Sequence, residues 1–138
     1  MKTAFLDSSV LFTAVNSPTG GSAKLFSIKN LKRITSHVVL VEVERNVRKK
    51  LQSYHLERFY MLVEQITVLD RLPDQKLIAR AKEVIVQKDA VILAEAREAK
   101  CDLLITLDKK HFLTSAVAKF LKPKKALTPK MILALREQ

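Results

Sequence analysis

Four acidic residues stand in the sequence at points where an apolar run ends or a helix starts. Asp7 closes the run TAFLD, and Asp108 follows LLIT after one leucine. Asp89 opens a helical stretch, and Glu42 lies one to two turns into the helix that Ser36 is predicted to cap. Each acid alone is explained equally well as a cap, a turn residue or a solvated helix position. Taken together, however, the four acids are predicted to lie at one edge of one sheet, and this shared position indicates a chemical role.

Clustered carboxylates repel one another, and their pKa values rise unless a cation neutralises them. Oxygen ligands suit Mg²⁺ or Mn²⁺ rather than zinc. The histidines His37, His55 and His111 show no metal-ligand spacing and have no cysteine partners, which argues against a zinc site. A hard dication held by acids can activate a water for attack on a phosphodiester and stabilise the leaving oxygen. We therefore expect these four acids to hold Mg²⁺ or Mn²⁺.

The elements that position the acids alternate along the chain. Short apolar runs predict strands, and longer periodic segments predict helices between them, which is typical of an α/β fold with a parallel sheet. The strands are predicted in TAFLD, KRITS, TVLD, DLLIT and KKAL. The helices are predicted in DSSVLFTAV, SAKLFSIKN, 37–52, HLERFYMLVEQI, PDQKLIARAKEVIVQ, 89–100 and TPKMILALRE. Ligands of such sheets gather at the carboxyl ends of the strands, where Asp7 and Asp108 stand.

The composition indicates a single domain, 1–138, with an anionic partner. The chain has 138 residues, of which 48% are hydrophobic, and carries a net charge of +11. This excess favours a polyanion, with a basic but otherwise unremarkable surface as the alternative. An aromatic content of 6% without tryptophan argues against a stacking platform for single strands. Because no apolar run approaches the ~20 residues of a membrane span, we expect a cytoplasmic protein without a membrane partner.

Four segments together resemble the PIN-domain family of metal-dependent ribonucleases, which includes the toxins of VapBC-type toxin–antitoxin pairs. They are FLDSSVL, SHVVLVEVERNV, KDAVILAEAREAKCDLLITLDKKHF and ALTPKMIL, in order from Met1 to about Leu135. The resemblance implies a three-layer α/β/α fold with a mainly parallel five-stranded sheet, commonly dimeric. It also implies that the four acids are catalytic and bind Mg²⁺ or Mn²⁺, with Ser8 and Thr106 supporting them.

The implied function is that of a metal-dependent endoribonuclease, the toxin of a toxin–antitoxin pair. Its expected partners are RNA, a second copy of the chain and a small antitoxin. Arg45, Lys109 and Lys110 are candidates for RNA binding. A housekeeping RNA-processing nuclease and a non-catalytic RNA- or protein-binding module remain as alternatives. A phosphotransfer fold of the response-regulator type fits poorly, because Ser8 and Ser9 follow Asp7 where a second acid is required.

Two further acids, Glu44 and Asp102, lie near the four candidates in the sequence. Glu44 competes with Glu42, because Leu40, Glu44, Val47 and Leu51 share one helical stripe and this periodicity turns Glu44 inward. The spacing of the family motif from Ser36 favours Glu42. Asp102 precedes LLIT at the opposite end of the strand, so we expect no metal role for it.

Overall fold

Five short strands form one parallel sheet in the computed structural model of the chain, which describes residues 1–136. The strands are β1 (Lys2–Leu6), β2 (Leu31–Ser36), β3 (Thr67–Leu69), β4 (Leu103–Ile105) and β5 (Lys125–Leu127). Their order across the sheet is β3-β2-β1-β4-β5. The five predicted apolar runs are therefore the five strands, and the prediction of a parallel five-stranded sheet is confirmed.

The central strand β1 is where the strand order reverses. β2 pairs with one side of β1, and β4 pairs with its other side in a register that sets Leu6 opposite Ile105. Ala4, Phe5 and Leu6 are fully buried, as expected for a central parallel strand covered on both faces. A crevice forms at the carboxyl ends of strands where the order reverses, and the residues just after Leu6 and Ile105 lie at that point.

Helices flank this sheet and complete the predicted α/β/α architecture. They are α1 (Ser8–Asn16), α2 (Gly21–Lys24) with a 3₁₀ turn (Leu25–Ser27), α3 (His37–Lys50), α4 (Ser53–Val63), α5 (Gln75–Lys82), α6 (Gln87–Glu98), α7 (Lys109–Phe112), α8 (Ser115–Leu121) and α9 (Pro129–Arg136). The predicted caps Ser36 and Thr128 accept hydrogen bonds from the backbone N–H groups of Val39 and Met131. The closing helix was expected to reach Glu137, which lies outside the described residues. No helix within residues 1–136 is long and apolar enough to cross a membrane.

Two helix predictions are wrong. The helix predicted over PDQKLIARAKEVIVQ ends at Lys82, and the next helix begins at Gln87 rather than at Asp89, with extended Val86 before it. The break follows the C-cap Glu83, where the Val84 and Ile85 N–H groups both donate to the Ala81 carbonyl and close the helix. Asp89 is therefore a residue of the first turn and not a cap. Helices α7 and α8 were not predicted.

The missed helix α8 had a signal in the sequence. Thr114 caps it by accepting a hydrogen bond from the Val117 N–H at 3.1 Å. A threonine before SAVAKFL is a standard start signal, and Val117, Phe120 and Leu121 form the buried face.

Candidate metal centre

Asp7 lies at the carboxyl end of β1 and is 3% exposed. Its Oδ1 accepts hydrogen bonds from the Val10 N–H at 3.1 Å and from the Ser9 hydroxyl at 2.6 Å. Its Oδ2 accepts from the Thr106 hydroxyl at 2.6 Å. Burial raises the pKa of Asp7 to about 6, against these hydrogen bonds, which lower it, and the Asp108 charge adds to the rise. The carboxylate is thus held in one orientation, and a nearby cation would favour its charged form.

Thr106 and Ser9 join the ends of the two central strands. The Thr106 hydroxyl is fully buried and also accepts the Asp108 N–H at 3.0 Å. The Ser9 hydroxyl donates to Asp7 and accepts the Leu107 N–H at 3.0 Å. Both hydroxyls therefore bridge the residues after β1 and those after β4. Thr106 lies where the family motif led us to expect it, whereas Ser9 was not singled out from the sequence.

Asp108 follows β4 and caps helix α7. Its Oδ1 accepts the His111 N–H at 3.1 Å, and its Oδ2 lies 2.9 Å from His111 Nδ1. Burial alone would raise the pKa of Asp108, but the hydrogen bonds and charge of His111 bring it below its ordinary value. The lowered pKa favours the charged form of Asp108.

Glu42 and Glu44 lie on different sides of α3. Glu42 Oε2 accepts the Ser8 hydroxyl at 2.8 Å, which brings it beside Asp7. Glu44 pairs instead with Arg48 at 3.2 Å, away from the other acids. The buried stripe of α3 is Val39, Val43 and Val47, so the periodicity that turned Glu44 inward was wrong.

Asp89 has a buried oxygen without a partner. Its Oδ2 is buried and accepts no hydrogen bond, although unpaired buried carboxylate oxygens are costly. Burial raises the pKa of Asp89; the Lys88 charge lowers it, and the charges of Asp108 and Glu42 raise it further. A bound cation would provide the partner that this oxygen lacks.

The four predicted acids line one cavity of about 210 Å³, together with Ser8, Ser9 and Lys88. Ligand atoms of Asp89, Asp108 and His111 also lie within 4.8 Å of one another. Two carboxylates and an imidazole are donors that Mn²⁺ accepts, and further carboxylates suit Mg²⁺ equally. The residues present therefore fit a divalent cation. Sequence reasoning set His111 aside, although its i,i+3 spacing from Asp108 on a helix start was the available signal.

Basic side chains border the acidic cavity. Lys88 and Arg45 line an adjoining groove of about 470 Å³, which Glu42 and Asp89 share with the cavity. Lys109 and Lys110 are exposed directly after Asp108. The predicted cations Arg45, Lys109 and Lys110 are thus near the acids in the fold, and Lys88 was missed although it precedes Asp89.

Asp102 lies at the opposite edge of the sheet, as expected. Its Oδ2 accepts the Thr3 N–H at 2.9 Å, and its own N–H donates to the Thr3 carbonyl. It therefore closes the junction before β4.

The parallel α/β fold thus brings acids from four separate elements around one cavity, a donor set that suits a divalent cation. The family model of the PIN domain matches residues 4–117, and the chain belongs to that family. Comparison with curated protein sequences finds no match.

Several solved structures share the fold at low sequence identity. A toxin–antitoxin complex from Klebsiella pneumoniae is 19% identical with a TM-score of 0.64, covering 91% of this chain and 97% of that one. VapBC2 from Rickettsia felis, bound to a DNA fragment from its promoter, is 17% identical with a TM-score of 0.67, covering 91% and 98%. The sarcin-ricin loop-cleaving toxin VapC20 of Mycobacterium tuberculosis is 18% identical with a TM-score of 0.59, covering 78% and 91%.

Proposed function

We propose that the protein is a Mg²⁺- or Mn²⁺-dependent endoribonuclease that hydrolyses RNA phosphodiester bonds. The observation that carries this proposal is the convergence of Asp7, Glu42, Asp89 and Asp108 on one small cavity in a chain of net charge +11. The clustered acids favour a bound cation, and the positive charge of the rest of the chain favours a polyanion. Membership of the PIN-domain family supports the same chemistry.

When bound, a Mg²⁺ or Mn²⁺ ion supplies Lewis acidity, a water of lowered pKa and charge neutralisation at the phosphate. The side chains of the protein itself hold and orient the acids. Ser9 and Thr106 fix the two oxygens of Asp7, Ser8 fixes Glu42, and His111 fixes Asp108. These contacts hold Asp7, Glu42 and Asp108 in place before a ligand arrives, as preorganised sites require.

The basic side chains bind the substrate in this proposal. Lys88 and Arg45 in the adjoining groove, with Lys109 and Lys110 after Asp108, provide the charges for RNA phosphates on either side of the cavity. An acidic cavity alone would repel RNA. The basic rim supplies the attraction that brings the phosphodiester to the acids.

The test compares two glutamates on the same helix. RNA cleavage by the wild type is measured with Mg²⁺, with Mn²⁺ and with EDTA, beside the variants Glu42→Gln and Glu44→Gln. We expect cleavage only with metal, a loss of about 100-fold or more in Glu42→Gln, and near wild-type rates in Glu44→Gln, whose partner is Arg48.

Asp108→Asn and Asp102→Asn form a second matched pair, at the two ends of one strand. We expect Asp108→Asn to be inactive and Asp102→Asn to stay active. A wild type that binds RNA but does not cut it with either metal would refute the nuclease and leave the non-catalytic binding module. Equal activity of Glu42→Gln and the wild type would refute the metal site.

The toxin role is part of the same proposal. The similar solved structures include a toxin–antitoxin complex and the toxin VapC20, and this likeness supports a toxin that binds a small antitoxin. The proposal also includes a homodimer, which the family resemblance implies, and a cytoplasmic location. Expression of the chain alone should arrest growth, and co-expression of the small protein encoded beside it should relieve the arrest and yield a co-purifying complex. Asp108→Asn is the control and should not arrest growth. An active nuclease whose expression leaves growth unchanged would instead be a housekeeping enzyme.

A further inference from the structure

Glu95 is a buried acid that has no part in the proposed chemistry. It lies in the last third of α6, is 5% exposed, and has Leu93, Ala94 and Ala96 as buried neighbours. Its Oε1 accepts the hydroxyl of Ser36 at 2.7 Å. Burying a carboxyl group costs free energy, and an apolar residue at this point of an apolar helix would avoid the cost. The hydrogen bond with Ser36 is the contact that a glutamate makes here and an apolar residue could not make.

Ser36 is fixed in place by its own element. It is the last residue of β2, is fully buried, and caps α3 by accepting the Val39 N–H at 3.2 Å. Its hydroxyl thus accepts from α3 and donates to α6. This single side chain links the sheet edge, the start of α3 and the far part of α6.

On both helices, six residues separate the Ser36–Glu95 hydrogen bond from an acid of the proposed metal site. Glu42 follows Ser36 by six residues on α3, and Asp89 precedes Glu95 by six residues on α6. Six helical residues span about 9 Å. The Ser36–Glu95 hydrogen bond joins the start of α3 to the late part of α6. Six residues further along α3 and six residues back along α6, Glu42 and Asp89 line one cavity. A shift of α6 along α3 would therefore separate Glu42 from Asp89.

We infer that Glu95 is a positioning residue, whose hydrogen bond with Ser36 sets the register of α6 against α3 and thereby holds Asp89 beside Glu42. The inference rests on the proposed metal site. Buried polar contacts between helices are best known for fixing register, because a slipped arrangement leaves the polar group without a partner. Apolar contacts alone would tolerate such a slip more easily.

The experiment compares Glu95→Met with Glu95→Gln. Methionine matches the length of glutamate and removes the acceptor for Ser36, whereas glutamine keeps an acceptor oxygen. Mn²⁺ affinity is measured by calorimetry and RNA cleavage by kinetics, with thermal unfolding in EDTA as the check on folding. Glu98→Met, an acid at the end of the same helix, is the matched control.

We expect Glu95→Met to fold, to bind Mn²⁺ about tenfold or more weakly, and to lose a similar factor in kcat with little change in KM for RNA. Glu95→Gln and Glu98→Met should stay within about twofold of the wild type in Mn²⁺ affinity, against that larger loss. A residue that only stabilised the fold would change the unfolding temperature and leave the Mn²⁺ affinity of the folded protein unaltered.

A folded Glu95→Met with wild-type Mn²⁺ affinity would overturn the inference. If Glu95→Met fails to fold, Ser36→Ala removes the donor instead and must show the same loss of Mn²⁺ affinity, or the inference fails. A wild type that binds Mn²⁺ without cutting RNA would overturn the proposed nuclease, while the affinity comparison would still decide the role of Glu95. A wild type that binds no Mn²⁺ would overturn both.

Discussion

At the scale of single residues, structural and functional explanations coincide. Asp7 caps α1 through Oδ1 and also lines the acidic cavity, and Asp108 caps α7 while it faces the same cavity. From the sequence alone, Asp7 was explained equally well as a cap and Asp108 as a turn residue, so neither structural explanation could be separated from a metal-binding role. Ser9 and His111 escaped prediction for different reasons. The role of Ser9 depends on a contact with Leu107 that only the folded chain creates, whereas the contact of His111 with Asp108 is local and its i,i+3 spacing was not used.

Glu95 also gives a prediction for the pH dependence of stability. Burial raises the pKa of Glu95 above its ordinary value of 4.5, although the Ser36 hydrogen bond lowers it. The native state then holds the proton more tightly than the unfolded chain does, so this group stabilises the fold below pH 4.5 and loses that contribution as pH rises through the raised value. Each pKa unit of the rise is worth about 1.4 kcal/mol.

Glu95→Gln isolates this contribution, because glutamine does not titrate. In EDTA, we expect the variant to match the wild type near pH 4 and to become progressively more stable than it toward pH 7, measured by urea unfolding. His37, Asp70 and Arg71 face Glu95 across a cavity of about 360 Å³, and all three are unchanged in the comparison. A stability difference that does not vary with pH would show that Glu95 has an ordinary pKa.

At the scale of elements, the sequence patterns located the strands better than the helix faces. Each strand is a short apolar run, and in a chain that alternates strands and helices such a run is typical of a buried strand. Helix α3 shows where pattern reasoning fails: the stripe with Glu44 and the stripe with Val39 and Val43 differ by one residue, and only packing against the rest of the fold selects the second. The family motif favoured Glu42, which the structure brings to Asp7, whereas hydrophobic periodicity alone would have chosen Glu44.

At the scale of the whole molecule, the strand order explains why distant acids meet. Asp7 and Asp108 are separated by a hundred residues of chain, yet they follow adjacent strands at the point where the order reverses. A parallel sheet with this order brings both to one edge, and α3 and α6 bring Glu42 and Asp89 to the same place. Strand order cannot be determined from hydrophobic patterns alone, so the joint site was expected only on the condition that the two strands are parallel neighbours, and the motif resemblance supported the same four acids. The extent of the domain over 1–138 and the homodimer stay predictions.

The net charge of +11 makes a prediction about salt. RNA binding that releases counterions weakens as salt rises, with a slope of about 0.7 per phosphate contacted on a single strand. Five contacted phosphates would lower the affinity on the order of a hundredfold between ~50 and ~200 mM salt. Binding is measured with the inactive Asp108→Asn variant, so that cleavage does not interfere.

RNA could be attracted by the overall positive charge of the molecule or bound by the basic side chains beside the acidic cavity. These two hypotheses predict different effects of single variants. Arg45 and Lys109 lie close to the acidic cavity, whereas Lys32, exposed near the start of β2, lies toward the opposite edge of the sheet. We expect Arg45→Gln and Lys109→Gln each to reduce the salt slope by about 0.7 and Lys32→Gln to leave it unchanged. Equal reductions in all three variants would mean that RNA is attracted by the overall charge of the molecule. A flat salt response of the parent protein would mean that RNA is not held through its phosphates, and the basic rim would need another partner.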